Sequence, residues 1–280
     1  MTKSTINVKG NLINLSIPKV MGILNITPDS FYKKSRIYQP ENIIVLVEKM
    51  IADGMDIVDL GGYSSRPGAK EVSEKEEISR VIPIIKIISE NFPSLPISID
   101  TFRASVAEES IKNGAGLIND ISAGEMDKAM FELVSEVDVP YIAMHMNGNP
   151  QNMQNNPVYN DIILEMTQYF SEKVNRLRQL NVSDIILDPG FGFGKTLNHN
   201  YEIINKFELL QNLGLPTLTG ISRKSMINKV LGINPDEALN GTSVLNTVSL
   251  VKGTNILRVH DVKEAKQAIL LTQKIVNYNS

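Results

Sequence analysis

The stretch "DPGFGFGKT", Asp188 to Thr196, carries three glycines followed by a lysine and a threonine. It ends like a phosphate-cradling loop, but the glycine such a loop needs five residues before Gly194 is Pro189. As a dinucleotide fingerprint it supplies Gly190 and Gly192, and the third glycine, Gly194, comes one position too early. Both nucleotide readings fail. Other chemistry-bearing residues stand where apolar runs stop: Asn25, Asp59, Asp100, Asn119-Asp120, His145, Asp188, Ser222-Arg223-Lys224 and Arg258-His260. Asp100, Asn119 and Asp188 offer acceptors to a flat heterocycle that presents an amino group and a ring N–H. Lys224 offers a donor to a ring carbonyl or nitrogen. Arg66, Arg258 and His260 are cationic donors for an anion. "GGYSSRPGA" adds flexible backbone at Gly61-Gly62 and hydroxyls at Ser64-Ser65. The set predicts a polar planar ring at one end of a site and a phosphate-like group at the other.

Eight short runs must position these groups: "VMGILNIT", "DIVDLGG", "PISIDT", "GLINDIS", "PYIAMHM", "DIILDPGF", "PTLTGISR" and "ILRVHD". Each is nearly all apolar, as in parallel strands buried on both faces. Segments of helical spacing follow them. "PENIIVLVEKMIADG" puts Ile43, Ile44, Val47, Met50 and Ile51 on one face and stops at Gly54, a C-cap. Strand-then-helix alternation repeated eight times predicts a (β/α)8 barrel, with the polar strand ends gathered on its C-terminal face. A lone Asp at such an end often caps a helix, and Asp29, Asp120 and Asp161 are read as caps or orienting groups. Residues 1–19 stand outside the alternation. "INVKGNLINLS" predicts a hairpin around Lys9-Gly10-Asn11 that closes the barrel bottom, leaving residues 20–280 as the barrel.

Composition narrows the function further. The chain has 280 residues, 42% of them hydrophobic, and a net charge of −3, so no overall field draws it to nucleic acid or an anionic membrane. An anionic ligand must be held by a local cluster of cations. The absence of cysteine excludes disulfides and thiolate metal sites. The N-terminus has no stretch of signal length and no run approaches the ~18 apolar residues of a membrane span, which predicts a cytoplasmic protein.

In this order, "MGILNITPDSF", "DLGGYSSRPGA", "SIDTFR", "IND", "LDPGFGFGK", "GISRKS" and "LRVHDV" resemble the dihydropteroate synthases, across nearly the whole chain. The resemblance implies a (β/α)8 barrel that joins 4-aminobenzoate to a 6-hydroxymethyl-dihydropterin diphosphate and releases diphosphate. It also implies use of Mg²⁺ and a homodimer. Carried over residue by residue, it implies that Asn25 meets the Mg²⁺ and diphosphate, and that Asp100, Asn119 and Asp188 read the pterin with Lys224 as donor. Arg258 and His260 fall on the diphosphate side. Ser65, Arg66 and Pro67 lie in the second mobile loop and Phe31 in the first, while Phe193 and Ser222 grip the aminobenzoate. The first loop departs from the family: "FYKKSRIY" has Lys33, Lys34 and Ser35 where Asp-Gly-Gly is usual. "SSRPG" with "RVHD" argues against a pterin barrel that holds no diphosphate. "DPGFGFGKT" then ends the sixth barrel strand, with Lys195 and Thr196 as loop or helix-start residues.

Overall fold

The apolar runs become strands, and four of them, β4 (Ile57–Gly61), β6 (Leu117–Asp120), β7 (Tyr141–Met144) and β8 (Ile185–Asp188), are buried at every residue. That burial requires cover on both faces, which a barrel lumen and an outer ring of helices supply. The structure, a computed structural model, describes residues 4–26, 40–63, 72–148, 150, 153 and 157–277. With β3 (Lys19–Asn25), β5 (Ile97–Asp100), β9 (Leu218–Thr219) and β10 (Ile256–Val259), the parallel strands form one sheet in the order β8-β7-β6-β5-β4-β3-β10-β9. The seam between β8 and β9 is closed by a single bridge, Leu187 to Thr217, in which Leu187 N–H donates to Pro216 O at 2.9 Å. β9 has only two residues, shorter than the run "PTLTGISR" predicts.

Outside lie α1 (Pro40–Ala52), α2 (Glu74–Asn91), α3 (Ala104–Lys112), α4 (Met130–Val137) and α5 (Ile162–Gln179). They are followed by α6 (Leu197–Asn205), α7 (Ser225–Leu231), α8 (Leu239–Val251) and α9 (Val262–Asn277). Side-chain caps start several of them: Ser73 accepts from Glu76 N, and Asp161 accepts from Ile163 N and Leu164 N. Thr196 and His199 form a reciprocal capping box at the start of α6, which makes Thr196 the helix-start residue the sequence indicates. Among the described residues no helix is long and apolar enough to cross a membrane.

The predicted hairpin is present as β1 (Thr5–Val8) and β2 (Asn11–Asn14), paired antiparallel. Its Ile6 and Val8, together with Leu15, join Met21, Ile57, Leu117, Ile142, Ile186, Leu218 and Ile256 in one buried cluster. The hairpin therefore plugs the lower lumen. Side chains alternate along a strand, so residues two positions further on face the same lumen nearer its C-terminal mouth. Those positions hold Asp59, Asn119, Met144, Asp188 and Arg258, and here the interior turns polar.

Candidate active site

Strand register aligns the first part of the site. Gly61 pairs with Asn25 on one side and with Asp100 on the other, and Asp100 pairs with Asn119, so four strand ends form one row. Beneath the row, Arg258 crosses the lumen. Its Nε donates to Asp59 Oδ2 and its Nη2 to Asp100 Oδ2, both at 2.6 Å. Asn119 Nδ2 donates to the same Asp59 oxygen at 3.1 Å. Asp59 has no exposed surface, and its Oδ1 has no partner, which marks the lumen as a place where polar groups are held at a cost.

Charge is concentrated here. Burial raises the pKa of Asp100; Arg258 opposes the rise and Asp59 adds to it, leaving the carboxyl pushed up to about 7. Asp188 is raised by burial as well, against the pull of Lys224 and a bond from Gly190 N–H at 2.8 Å. Lys224 is lowered by burial to about 8, with Asp188 holding it up. Arg258 resists burial because Asp59 and Asp100 flank it, and it stays charged throughout. Three carboxyls, Asp59, Asp100 and Asp188, thus surround two cations, Lys224 and Arg258.

The second part of the site follows β8 and β9. Lys224 Nζ donates to Phe191 O and lies 4.8 Å from the ring centre of Phe193. The turn before it requires Arg223 at φ +57°, a strained value for a side chain of that size. Arg223 is held there by Asp261, which accepts from Nη2 at 2.7 Å, and by Thr242 Oγ1, which accepts from its N–H at 3.1 Å. Ser222 is buried and His260 is exposed at the rim. Ser222 Oγ and His260 Nδ1 lie 3.0 Å apart.

Asn25, Asp100, Asn119, Asp188, Phe193, Ser222, Lys224, Arg258 and His260 therefore gather at one mouth of the barrel. Phe31, Ser65, Arg66, Pro67, Lys33 and Lys34 lie outside the described residues, as does Asp29. Asp120 and Asp161 are orienting groups, as the sequence suggests. Asp120 accepts from Ser122 N–H, Ser122 Oγ, Gly124 N–H and Tyr141 OH, and Asp161 caps α5. Arg258 and His260, grouped by the sequence, diverge: Arg258 turns inward to two carboxylates while His260 stays at the rim with Ser222. The sequence places Asp59 where its apolar run stops and gives it no role of its own; it lies instead in the middle of β4, where Arg258 and Asn119 donate to it. Sequence reasoning also missed the burial of Lys195 at 4% exposure, which nothing in "GFGKT" announces.

A Cβ at Gly61 would lie 3.5 Å from Asn25 Oδ1 and 3.6 Å from Asp100 Oδ2, so the glycine leaves these two oxygens beside a common gap. Among the described residues no group of three or more His, Asp or Glu side chains could hold a metal. The donor set fits a Mg²⁺ that arrives on phosphate oxygens and keeps waters, not an all-protein cage.

Fold and site together define a (β/α)8 barrel whose charged and polar side chains gather at the C-terminal mouth, where enzymes of this fold place their active sites. Residues 21–260 match the pterin binding enzyme family. The chain is 42% identical to the dihydropteroate synthase of Escherichia coli (strain K12), over 95% of this chain and 94% of that protein. It is likewise 42% identical to that of Clostridium beijerinckii, over 92% and 94% respectively. A crystal structure of the Yersinia pestis dihydropteroate synthase with a sulfonamide drug superposes with a TM-score of 0.92 at 36% identity, covering 98% of this chain and 99% of that one. The chain belongs to the pterin binding enzyme family. Its activity is dihydropteroate synthesis, the transfer of a dihydropterinylmethyl group from its diphosphate to 4-aminobenzoate.

Proposed function

We propose that the upper lumen binds the pterin ring through Asp100, Asn119 and Asp188, with Lys224 as donor, and that the transfer proceeds by early loss of diphosphate. The observation that carries this reading is the gathering of three buried or half-buried carboxyl groups, Asp59, Asp100 and Asp188, around the two cations Lys224 and Arg258. The bond from the methylene carbon to the diphosphate oxygen breaks and its electron pair leaves with the diphosphate. The positive charge left on the carbon spreads into the reduced ring, where Asp100 and Asp188 stabilise it electrostatically. The amine lone pair of 4-aminobenzoate then forms the new C–N bond, and the anilinium loses its proton to solvent or to the departing diphosphate. The arylamine needs no strong base, and no activated Ser or Cys nucleophile is required.

Asp59 has no direct part in this scheme. It fixes Arg258 and Asn119, and through Arg258 it fixes Asp100. Phe193 and Ser222 are assigned to the aminobenzoate side and His260 to the diphosphate side, with Ser65, Arg66, Pro67 and Phe31 contributed by the two loops. Two solved relatives, from Xanthomonas albilineans and Thermus thermophilus, carry 4-aminobenzoate, which supports this second substrate. Asn25 would hold Mg²⁺ together with the substrate's phosphates; bound there, the ion supplies charge neutralisation for the leaving group. Incubating the protein with both substrates and Mg²⁺ should yield dihydropteroate and diphosphate, and the rate should fall when Mg²⁺ is chelated. Absence of product would remove the proposal.

The protein is further proposed to work in the cytoplasm as a homodimer. Val244, Val248 and Val251 on α8, and Leu270, Leu271, Ile275 and Val276 on α9, are exposed on two helices packed together. Such a face suits a second copy. Sedimentation showing a monomer at micromolar concentration would rule it out.

A further inference from the structure

The sequence leaves Lys195 in a loop or at a helix start, yet it is as buried as the core. Buried lysines persist where their donors are satisfied. Lys195 Nζ has three acceptors: His145 Nδ1 at 2.9 Å, His145 O at 3.1 Å and Phe193 O at 3.0 Å. They come from two different loops, the one after β7 and the one after β8. The same loops touch backbone to backbone. A Cβ on Gly190 would stand 2.1 Å from His145 O, and one on Gly194 would stand 2.4 Å from Asn147 O. Both glycines have φ above +60°, so no other residue fits either position. The glycines of "DPGFGFGKT" thus serve loop-to-loop contact.

Phe193 is the residue this packing pins. Its N–H donates to Gly190 O at 3.0 Å and its O accepts from Lys195. On either side, Gly192 N–H donates to Asn200 Oδ1 at 2.7 Å and Gly194 O accepts from Tyr159 OH at 2.8 Å. The Phe193 ring lies beside Lys224 and packs against the cluster of Phe102, Ile121, Met144, Met146 and Met153. The imidazole of His145 is itself braced, edge-on to Tyr169 with centroids 4.9 Å apart. Burial first, and Lys195 second, hold that ring down to about 2, so it is neutral and its Nδ1 can accept.

We propose that Lys195 and His145 are positioning residues for the second substrate. They staple the loop after β8 onto the loop after β7 and fix the Phe193 ring against which 4-aminobenzoate lies. The inference rests on the assignment of Phe193 above and deepens it.

Steady-state kinetics of the full chain test it, with each substrate varied in the presence of Mg²⁺. Lys195→Met should raise KM for 4-aminobenzoate roughly tenfold, the scale of one buried hydrogen bond. It should leave kcat within about threefold and the affinity for a pterin lacking the diphosphate within about twofold, which a general loss of folded protein would not do. An unchanged KM for aminobenzoate, or equal losses for both ligands, overturns the proposal. Should Lys195→Met fail to fold, the His145 pair decides. His145→Leu removes the acceptor and should raise the same KM, and His145→Asn, with an amide oxygen near the Nδ1 position, should restore it. Equal values for the two variants overturn the staple. Phe193→Ala separates the inference from its premise. A wild-type KM there removes the ring contact and the staple with it, whereas a raised KM there beside an unchanged one in Lys195→Met removes the staple alone.

Discussion

The two halves of the barrel lumen share the same strands and are built from opposite chemistry. In the lower half Met21, Ile57, Leu117, Ile142, Ile186, Leu218 and Ile256 have no exposed surface, and the hairpin presses Ile6, Val8 and Leu15 onto them. Two residues further along, four of these strands carry Asp59, Asn119, Asp188 and Arg258, and β5 adds Asp100 beside them. Burying a large aliphatic side chain is worth about 1.5–3 kcal/mol. Holding a charge out of water without full compensation costs several kcal/mol. Asp59 Oδ1, buried and unpartnered, lies in the polar half. The lower lumen therefore supplies stability and the upper lumen spends part of it on a preorganised set of charges.

The largest effect is expected where that set is broken internally. Arg258→Met leaves Asp59 buried without its cation and should cost about 3–5 kcal/mol of stability. It should also abolish detectable turnover, as thermal unfolding and a product assay would show. A variant of wild-type stability would mean that Asp59 and Arg258 are not a compensating pair.

Ile142→Ala in the lower half should cost roughly 2–5 kcal/mol and leave pterin affinity unchanged. Asp188→Asn in the upper half should do the reverse. Its Tm should stay the same or rise, since burial already disfavours the carboxylate, while pterin affinity falls by the roughly 1.5–3 kcal/mol of a charge-assisted hydrogen bond. Calorimetric titration and thermal melts of both variants check the exchange. Linked losses in either variant would erase the distinction between the halves.

The smallest effect is a pH profile. Asp100, pushed up to about 7, must be ionised to accept from the ring, so kcat/KM should climb as pH rises through that value. Lys224, near 8, must be protonated to donate, so activity should fall above it. The narrow bell belongs to the coupled cluster rather than to either residue alone. Lys224→Arg should carry the alkaline limb upward by more than about one unit, because a guanidinium does not titrate there. An alkaline limb that stays in place would assign it to another group.

Much of this architecture is legible in the sequence because it depends on local pattern. Apolar runs mark the strands, and Asp100, Asn119 and Asp188 announce themselves by ending such runs. The less visible features depend on closure of the barrel. Asp59 sits mid-strand, and only the stagger between β10, β4 and β5 brings Arg258 to both Asp59 and Asp100. Lys195 follows glycines that read as a flexible loop, and its burial arises because that loop meets the one after β7. β9 is only two residues long, and the Asn255 side-chain oxygen that accepts from the neighbouring Thr217 N–H at 2.9 Å comes from the loop before β10, a contact that no local pattern in the sequence shows.

A crystal structure of the protein with a pterin lacking the diphosphate tests the division of the lumen most directly. The ring should lie in the upper lumen, with Asp100, Asn119 and Asp188 each within about 2.7–3.2 Å of a ring nitrogen or amino group and Lys224 donating to it. The apolar layer from Met21 to Ile256 should be undisturbed beneath. A ring bound outside the mouth, or bound without contact to Asp100 and Asp188, would contradict the account.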